Sequence, residues 1–369
     1  MKRREFLKKS VPAALAGGVL AGCAKEQAAG GPAADAQPSV DWRMVSSYPR
    51  NLDTLFGATE FFAKRVEELT GGKFRIRSYP AGELVPALQV MDAVQQGTVQ
   101  AGHTASYYYT GKNPVLAFDT CVPFGLTSRQ QNAWMFHGGG LALIREAYAA
   151  FNIINFPGGS TGAQMGGWFR SEITSLESLK GLKMRIPGLG GEVMSRLGVT
   201  VQTLPGSEIY LALERGAIDA TEWVGPYDDE KLGLHKICKN YYYPGWWEPG
   251  PVISFIVNLD AWNKLPAVYQ RAVETASAET SQWMTADYDF RNPAALRRLV
   301  EGGVKLAKFP DDMMAAAEKI AFEIMEELAS KDAGYAKVYE NWKKFRADSY
   351  VWFGTCELAY EQFAFPRAR

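Results

Sequence analysis

Arg185 is the residue of this chain whose surroundings most favour binding of an anion. It lies in the segment KMRIP (residues 183–187), where strand alternation sends its two apolar neighbours to one face and Arg185 to the other. The Gly-rich segment 188–191 follows, and then a helix predicted to begin at Glu192. Arg185 is therefore predicted at a strand end that faces a helix start, where its planar guanidinium can hold a carboxylate through two hydrogen bonds. The alternative is a solvated or structurally paired arginine.

Three further residues carry oxygen atoms that suit a hard cation. Glu222 follows a predicted strand and precedes Trp223. Glu248 ends the aromatic segment YYYPGWWE, and Gln164 lies in a glycine-rich segment. The segment at Glu222 could bind a cation, donate a backbone carbonyl or cap a turn, and both glutamates also fit ordinary surface positions. Together, carboxylate, amide and backbone oxygens suit Na⁺ or Ca²⁺ and not zinc or copper. A substrate carboxylate would then bridge that cation and Arg185, because a buried anion needs compensating positive charge.

The glycines after Arg185 do not form a dinucleotide-binding site. Gly188, Gly190 and Gly191 fail the pattern G-x-G-x-x-G because residue 193 is valine. The acidic ribose contact expected some twenty residues further on is also missing from 205–207. Nucleotide binding is therefore excluded as the role of this loop.

The first 23 residues have the features of an export signal. KRREFLKK (residues 2–9) resembles the twin-arginine signal, which carries folded proteins across the membrane. The apolar stretch from Val11 to Leu20 is too short to span a bilayer as a helix. Leu-Ala-Gly-Cys (residues 20–23) resembles a bacterial lipobox, in which Cys23 receives lipid and becomes the mature N-terminus. We therefore predict a periplasmic, lipid-tethered protein, with a plain cleaved signal as the alternative.

Removal of residues 1–22 leaves a weakly acidic chain. These residues contain five basic side chains and Glu5, a net of +4, so a chain of formal net charge 0 leaves a mature part near −4. No basic run remains that could bind nucleic acid. Residues 23–40 are rich in Ala, Gly and Pro and predict a flexible tether. Three cysteines remain, Cys121, Cys238 and Cys356. Because their number is odd and they are widely spaced, we predict buried free thiols and neither disulfides nor a zinc site.

The mature chain alternates strand and helix patterns, which predicts an α/β fold. Two segments match each other, AVQQGTVQA (residues 93–101) and ALERGAIDA (residues 212–220). Each segment predicts the end of a helix, a glycine in the left-handed region and then a short strand. The match predicts two similar lobes, each with a strand that ends at a shared cleft. Ligands of open α/β sheets bind at the carboxyl ends of strands, so the site is expected there.

The last hundred residues have helical spacing. Residues 269–289 and 311–330 are rich in Ala, Glu and Met, and 335–365 carry aromatic residues at intervals of three to five. An aromatic helical tail usually packs in the core. Because this one follows the two lobes, packing on a second subunit is the alternative expectation.

Long strings in this chain resemble one known family. The strings GAQMGGWFR from Gly162, KMRIPG, ALERGAIDATEWVGPYDDEKLG and YYYPGWWE are typical of the TRAP-transporter extracytoplasmic solute receptors of the DctP family. The subgroup that binds α-keto acids, typified by TakP, is the most similar, and SSYPRNLDTLFG, AGELVP and HTASYYYTGKNP also resemble it. The resemblance covers nearly the whole mature chain.

The resemblance implies a function and roles for particular residues. Arg185 matches the arginine that holds the substrate carboxylate. Gln164, Glu222, Glu248 and Trp223, the last through its carbonyl, match the cation and substrate contacts. Tyr108 or Tyr109 is expected to line the ligand from the first lobe.

The implied fold is that of a two-lobed periplasmic binding protein. Lobe 1 comprises residues 41–163 and lobe 2 residues 164–254, each completed by part of 255–335. The resemblance also implies a long helix that spans both lobes, and a C-terminal helical tail, 336–369, that contributes to a homodimer. Many family members diffuse freely in the periplasm, and the lipobox is a departure from them.

Three functions follow as hypotheses. The first is a receptor that closes over a 2-oxo or 2-hydroxy monocarboxylate such as pyruvate or lactate, with Na⁺ or Ca²⁺, and delivers it to a membrane permease. The second is a secreted metal-dependent hydrolase or lyase with Glu222 or Glu248 as base. The third is a lipoprotein that presents the same ligand to a sensor. Against the enzyme, the chain has only three histidines and no H-E-x-x-H segment.

Overall fold

The computed structural model describes residues 37–367. The predicted export signal, the lipidation site at Cys23 and all but the last residues of the predicted tether lie outside this range. Within it, none of the helices combines the length and the apolar character needed to cross a bilayer.

The first of two sheets has five strands in the order β2-β1-β3-β10-β4. β1, β2 and β3 run parallel to one another, whereas β10 is antiparallel to both β3 and β4. Apolar residues alternate with charged ones along β1 and β2, whose outer faces are exposed, while β3 and β10 are buried throughout. The strands are β1 (Val40–Ser46), β2 (Phe74–Tyr79), β3 (Ala101–Thr104), β4 (Ile153–Ser160) and β10 (Val252–Asn258).

The second sheet has six strands in the order β11-β9-β5-β8-β6-β7. β6 is parallel to β7 and β8, and β9 is parallel to β11, while β5 is antiparallel to both of its neighbours. The strands are β5 (Gly167–Phe169), β6 (Lys183–Arg185), β7 (Thr200–Gln202), β8 (Ala220–Thr221), β9 (Asn240–Tyr243) and β11 (Lys305–Lys308).

The chain passes between the two sheets three times. It leaves the first sheet after β4, returns to it after β9, and leaves again through the helices that follow β10. The first two crossings, residues 161–166 and 244–251, are short and contain no helix or strand. They are hydrogen-bonded to each other, since the Gly245 N–H donates to the Gln164 carbonyl at 3.0 Å. The described chain therefore has two α/β halves joined by adjacent connections.

The described residues contain fourteen α-helices. The first seven are α1 (Leu55–Leu69), α2 (Val90–Gln95), α3 (Ala117–Thr120), α4 (Ser128–His137), α5 (Gly140–Ala149), α6 (Gly188–Arg196) and α7 (Gly206–Glu214). The others are α8 (Pro226–Leu232), α9 (Leu234–Ile237), α10 (Leu259–Asn263), α11 (Ala267–Glu301), α12 (Asp311–Lys331), α13 (Ala333–Phe353) and α14 (Ala359–Ala364).

The long helix α11 has 35 residues and contacts both halves. It packs on α1 and β4 of the first half and on α8, which follows β8 of the second. Tyr288 of α11 donates a hydrogen bond to Asp228 of α8 at 2.7 Å, and Asp228 also accepts one from Thr54, which precedes α1. Burial raises the pKa of Asp228 to about 6. The long helix expected from the resemblance is thus present, and it joins the halves through a buried polar contact.

Helix α6 begins earlier than the sequence predicts, at Gly188 and not at Glu192. The glycines are inside the helix because it packs very closely on its neighbours. A Cβ on Gly191 would lie 2.7 Å from the Ile186 carbonyl oxygen, and one on Gly190 would lie 2.8 Å from Trp247. The prediction was wrong because the glycines serve a close approach and not a loop.

The two matching segments of the sequence adopt the same local structure. α2 and α7 end just before Gly97 and Gly216, which have φ values of 70° and 71°. The strands that follow, β3 and β8, each lie parallel to a neighbouring strand of their own sheet. The predicted correspondence between the two halves is confirmed at this unit.

The C-terminal tail divides into an inner and an outer part. In α13, Tyr335, Tyr339 and Trp342 are buried in a hydrophobic cluster with residues of the first half. Beyond Ser349, most of the large apolar side chains are exposed: Tyr350, Val351, Trp352, Leu358, Tyr360, Phe363 and Phe365. Cys121 and Cys238 are buried free thiols, but Cys356 lies in the outer part and is exposed, so the prediction that it is buried was wrong.

A candidate anion and cation site at the strand ends

The candidate residues lie at or just beyond the carboxyl ends of six strands, three from each sheet. In the first sheet, β1 is followed by Tyr48, β3 by Tyr107 and Tyr108, and β4 by Thr161 and Gln164. In the second, β6 ends at Arg185, β8 is followed by Glu222 and Trp223, and β9 by the turn that carries Glu248. The carboxyl ends of strands from both sheets therefore meet, as the sequence predicted.

All of these residues except Glu222, which is ion-paired with Arg185, line one small cavity. Gln164, Arg185, Trp223 and Glu248 line it from the second half and the crossing segments. The remaining lining residues are Tyr48, Leu55, Tyr107, Tyr108, Thr161, Val224 and Ile253. The wall is thus largely aromatic and aliphatic, with a few polar groups, as is usual for sites that bind small molecules.

Arg185 is 1% exposed and forms an ion pair with Glu222, which is fully buried. Its Nε donates to the Leu204 carbonyl at 3.0 Å, and its guanidinium carbon lies 5.1 Å from the ring centroid of Trp223. Three contacts therefore fix the guanidinium. Its Nη2 has no hydrogen-bond partner in the described chain and leaves a donor for a ligand.

Several buried oxygen atoms around the cavity also have no hydrogen-bond partner within the described residues. They are Gln164 Oε1, Glu222 Oε2 and Glu248 Oε2. Buried polar atoms are nearly always hydrogen-bonded, and a cluster without partners therefore marks a place where a ligand completes the set. An amide oxygen and two carboxylate oxygens are the donors that Na⁺ and Ca²⁺ prefer.

Burial changes the acidity of both glutamates. It raises the pKa of Glu222 to about 7, although Arg185 acts in the opposite direction. Burial also raises the pKa of Glu248 well above its usual range, and the charge of Glu222 adds to this effect. Two buried carboxyl groups thus share one arginine. When both are ionised, the site has a net negative charge.

A buried carboxylate in each half holds the loops that reach the cavity. Asp119 accepts hydrogen bonds from Ser106, Tyr148, Asn155 and Ser254, and so fixes the turn that carries Tyr107 and Tyr108. Asp229 accepts hydrogen bonds from Trp168, from Tyr241 and from the N–H groups of Val224 and Gly225, just after Trp223. The two strand ends are therefore fixed by similar polar networks.

The tyrosines that line the cavity differ in part from those expected from the sequence, which were Tyr108 or Tyr109. Tyr108 lines the cavity, but Tyr109 does not: its hydroxyl contacts Thr104 at 3.0 Å and accepts from the Met91 N–H. Tyr107 and Tyr48 line the cavity and were not singled out. Tyr107 shares the segment that the sequence analysis considered, whereas Tyr48 follows β1, whose strand end received no attention.

Trp223 contributes its ring to the site. The ring lies over Arg185 and packs so closely on α7 that a Cβ on Gly206 would lie 2.4 Å from it. Its Nε1 is buried and has no hydrogen-bond partner in the part of the chain that is described. From the sequence, only its backbone carbonyl was expected to contribute to the site.

One motif escaped the sequence analysis. GGSTG (residues 158–162) has the G-x-S-x-G spacing of a hydrolase nucleophile elbow. However, Ser160 is the last residue of β4, its hydroxyl contacts Ser128 at 2.8 Å, and no helix follows it directly. The strand-turn-helix context that an elbow requires is therefore missing here.

Residues 45–332 match the family of bacterial extracellular solute-binding proteins, family 7, or DctP. The chain belongs to this family, as the resemblance in its sequence implied. It is an extracytoplasmic solute receptor and not an enzyme, so the hydrolase or lyase hypothesis is not retained.

The chain is similar to a protein of Nostoc sp. described as a monocarboxylate 2-oxoacid-binding periplasmic protein. The two are 59% identical over 364 residues, which are 99% of each chain. A second relative, the C4-dicarboxylate-binding protein DctP of Rhodobacter capsulatus, is 24% identical over 73% of this chain and 81% of its own.

Two solved structures share the fold across most of both chains. A TRAP-transporter solute-binding protein of Bordetella bronchiseptica is 50% identical, covers 90% of this chain and all of its own, and has a TM-score of 0.89. Its crystals contain a mixed-occupancy dimer, with copurified calcium and picolinate in one site and an apo site. A second, from Colwellia psychrerythraea, contains calcium and pyruvate; it is 39% identical over 88% of this chain and 99% of its own, with a TM-score of 0.85. The predicted two-lobed α/β fold is thereby confirmed.

Proposed function

We propose that this receptor binds a small 2-oxo monocarboxylate, of the size of pyruvate, together with Ca²⁺ or Na⁺, and delivers it to a TRAP-transporter permease. The observation that carries the proposal is the set of buried polar atoms without partners around one small cavity. The Nostoc and Colwellia relatives support the class of ligand and cation.

The cation would be held by Gln164, Glu222 and Glu248, with the backbone carbonyl of Trp223 as a further ligand. The free oxygen of each of the three side chains is buried and lacks a partner. The site has one buried positive charge and two buried carboxyl groups. A monocarboxylate adds a third negative charge, so a divalent cation balances the site when all three are ionised, whereas sodium leaves one negative charge. We therefore expect Ca²⁺ to bind more tightly than Na⁺.

The organic acid would be held between the halves. Arg185 offers Nη2 to its carboxylate from the second sheet, and Tyr108 lines the cavity from the first. Among the residues that line the cavity, Arg185 is the one basic side chain, and Leu55 and Ile253 form part of the wall, so a second carboxylate would lack a cationic partner there. This favours a monocarboxylate over a C4-dicarboxylate. The cleft would close by movement of residues 41–163 relative to residues 164–254, each completed by part of 255–335.

Isothermal titration of the mature chain with pyruvate tests the proposal. We expect binding in calcium, weaker binding in sodium, and loss of binding in a potassium buffer with chelator, because the cation balances the negative charge. Acetate, which lacks the 2-oxo group, and succinate, which has a second carboxylate, serve as controls and should bind poorly. Pyruvate affinity that is the same with and without the cation would contradict the proposed site, and turnover of pyruvate would contradict the receptor.

We further propose that the receptor is exported by the twin-arginine route and lipidated at Cys23. KRREFLKK and the Leu-Ala-Gly-Cys sequence support this.

A homodimer formed through the outer part of the tail is also proposed. Seven large apolar side chains between Tyr350 and Phe365 are exposed, and Val351 is 72% exposed. Contiguous exposed apolar surface marks sites of protein association. The mixed-occupancy dimer of the Bordetella relative supports a second copy as the partner.

Val351→Asp is expected to convert the dimer into a monomer, because it places a charge in the proposed apolar interface. Light scattering after size-exclusion chromatography measures the change. Leu84→Asp is the matched control, since Leu84 is also exposed, at 47%, but lies outside the tail. A V351D variant that stays dimeric, or an L84D variant that dissociates equally, would contradict the assignment.

A further inference from the structure

Residues 121–125 lie between helix α13 and the turn that carries Glu248. They form neither helix nor strand and are held from both sides. Phe124 has a φ of 54°, in the left-handed region that a phenylalanine rarely adopts. Such a conformation persists where the surrounding contacts determine it.

The contacts from α13 are made to two carbonyl oxygens of this segment. Tyr350 donates its hydroxyl to the Gly125 carbonyl at 2.6 Å and lies 3.1 Å from that of Phe124. Arg346 donates Nε to the Phe124 carbonyl at 2.9 Å. The guanidinium carbon of Arg346 also lies 4.2 Å from the ring centroid of Tyr350, so these two side chains pack against each other. A Cβ on Gly125 would lie 3.3 Å from the ring of Trp342.

On its other side the segment holds the turn of Glu248. The Phe124 N–H donates to the Trp246 carbonyl at 2.8 Å, and their rings stack with centroids 5.1 Å apart. Cys121 Sγ contacts the Trp247 carbonyl at 3.7 Å. Glu248 is the next residue, and its N–H is bonded within the turn to the Gly245 carbonyl. The position of the Glu248 carboxylate therefore depends on residues 121–125.

We propose that Tyr350 and Arg346 of the tail are positioning residues for the ligand site, which act through Phe124 and Trp246 on Glu248. The inference rests on the proposed role of Glu248 as a cation ligand. A carboxylate on an irregular turn has no helix or strand to fix it. Contacts that restrain the turn reduce the number of conformations lost when the cation binds, and so increase affinity.

Tyr350→Phe tests the inference with a small change. It removes the two contacts of the hydroxyl and keeps the ring beneath Arg346. Dissociation constants for calcium and for pyruvate in calcium are measured by titration calorimetry, and both are expected to rise about three- to tenfold, as for the loss of one or two hydrogen bonds. The control is Lys344→Ala, on the same helix, whose exposed side chain pairs with Asp348. It should leave both constants unchanged.

A double-mutant cycle separates positioning from general loss of stability. Trp246→Leu removes the ring that Phe124 stacks on. If the tail acts through Trp246, Y350F has little further effect on calcium affinity in the W246L background. If the two effects simply add, the proposed connection is wrong.

The V351D variant distinguishes an effect of dimerisation from an effect on the position of Glu248. It should change the oligomeric state and leave the calcium affinity as in the wild type. Equal weakening by V351D and Y350F would assign the effect to the dimer and overturn the inference. Unchanged affinity of Y350F, in a wild type that binds calcium and pyruvate, would also overturn it. Failure of the wild type to bind would instead contradict the proposed function.

Discussion

Arg185→Ala is expected to abolish measurable binding of pyruvate in calcium. The guanidinium is the one charged basic group among the residues that line the cavity, and its Nη2 has no partner in the described chain. Loss of one partner of a buried, hydrogen-bonded charge pair costs about 2–5 kcal/mol, which is roughly thirtyfold to several thousandfold in affinity. Titration calorimetry measures the loss.

Two further variants control for damage to the fold. R185A also leaves Glu222 buried without its ion-pair partner, so its free energy of unfolding is expected to fall. Arg185→Lys keeps the positive charge but cannot form two parallel hydrogen bonds to a carboxylate, so this variant should bind pyruvate weakly but measurably. Arg145→Ala removes an arginine that donates to the Asn155 carbonyl at 3.1 Å, away from the cavity. R145A should bind normally, and near-normal binding by R185A would remove Arg185 from the site.

Glu248→Gln is expected to reduce ligand binding without reducing the stability of the ligand-free protein. Glu248 is 4% exposed, lies near Glu222 and has a carboxylate oxygen without a partner among the described residues. A neutral amide removes the cost of burying that charge, so the free energy of unfolding should be unchanged or higher by about 1 kcal/mol. Calcium affinity should fall by more than about a hundredfold, because changes even to groups behind the ligands of a metal cost 10- to 100-fold.

Denaturant unfolding in chelator and calcium titration together test this prediction. Asp228→Asn is the matched control, since Asp228 is also a fully buried carboxyl group but contacts Thr54 and Tyr288 and does not line the cavity. D228N should alter stability and leave calcium affinity close to that of the wild type. An E248Q variant that is clearly less stable, or that binds calcium normally, would show that the carboxylate has a structural role.

Local patterns were sufficient to predict the α/β fold and much of the site. The apolar spacing of β1 and α1, the matched units at Gly97 and Gly216, and the helical C-terminal hundred residues all depend on neighbours in the sequence. Arg185, Glu222, Gln164 and Glu248 were found because each stands at or beyond a strand end or beside glycines. Their types and positions indicate binding before any tertiary contact is known.

Other features depend on contacts between distant residues. Tyr48 lies in the cavity because β1 is adjacent to β3, a pairing that its own segment does not reveal. The helical glycines of α6 reflect close packing on Ile186 and Trp247. The direction of each tyrosine in Tyr107-Tyr108-Tyr109 is set by a 3-10 turn, which sends Tyr109 into the first half and the other two to the cavity. These side-chain positions are determined by tertiary contacts and cannot be predicted from the spacing of residues in the sequence.

Gln164 and Glu248 lie on the two short connections between the halves, which are bonded to each other. When two bodies rotate about such a junction, atoms near the axis are displaced least. Opening would therefore separate Arg185 from Tyr108 by a large distance while the amide and the carboxylate stay adjacent. We therefore expect the organic acid to lose its contacts before the cation does, so that the two ligands leave in a fixed order.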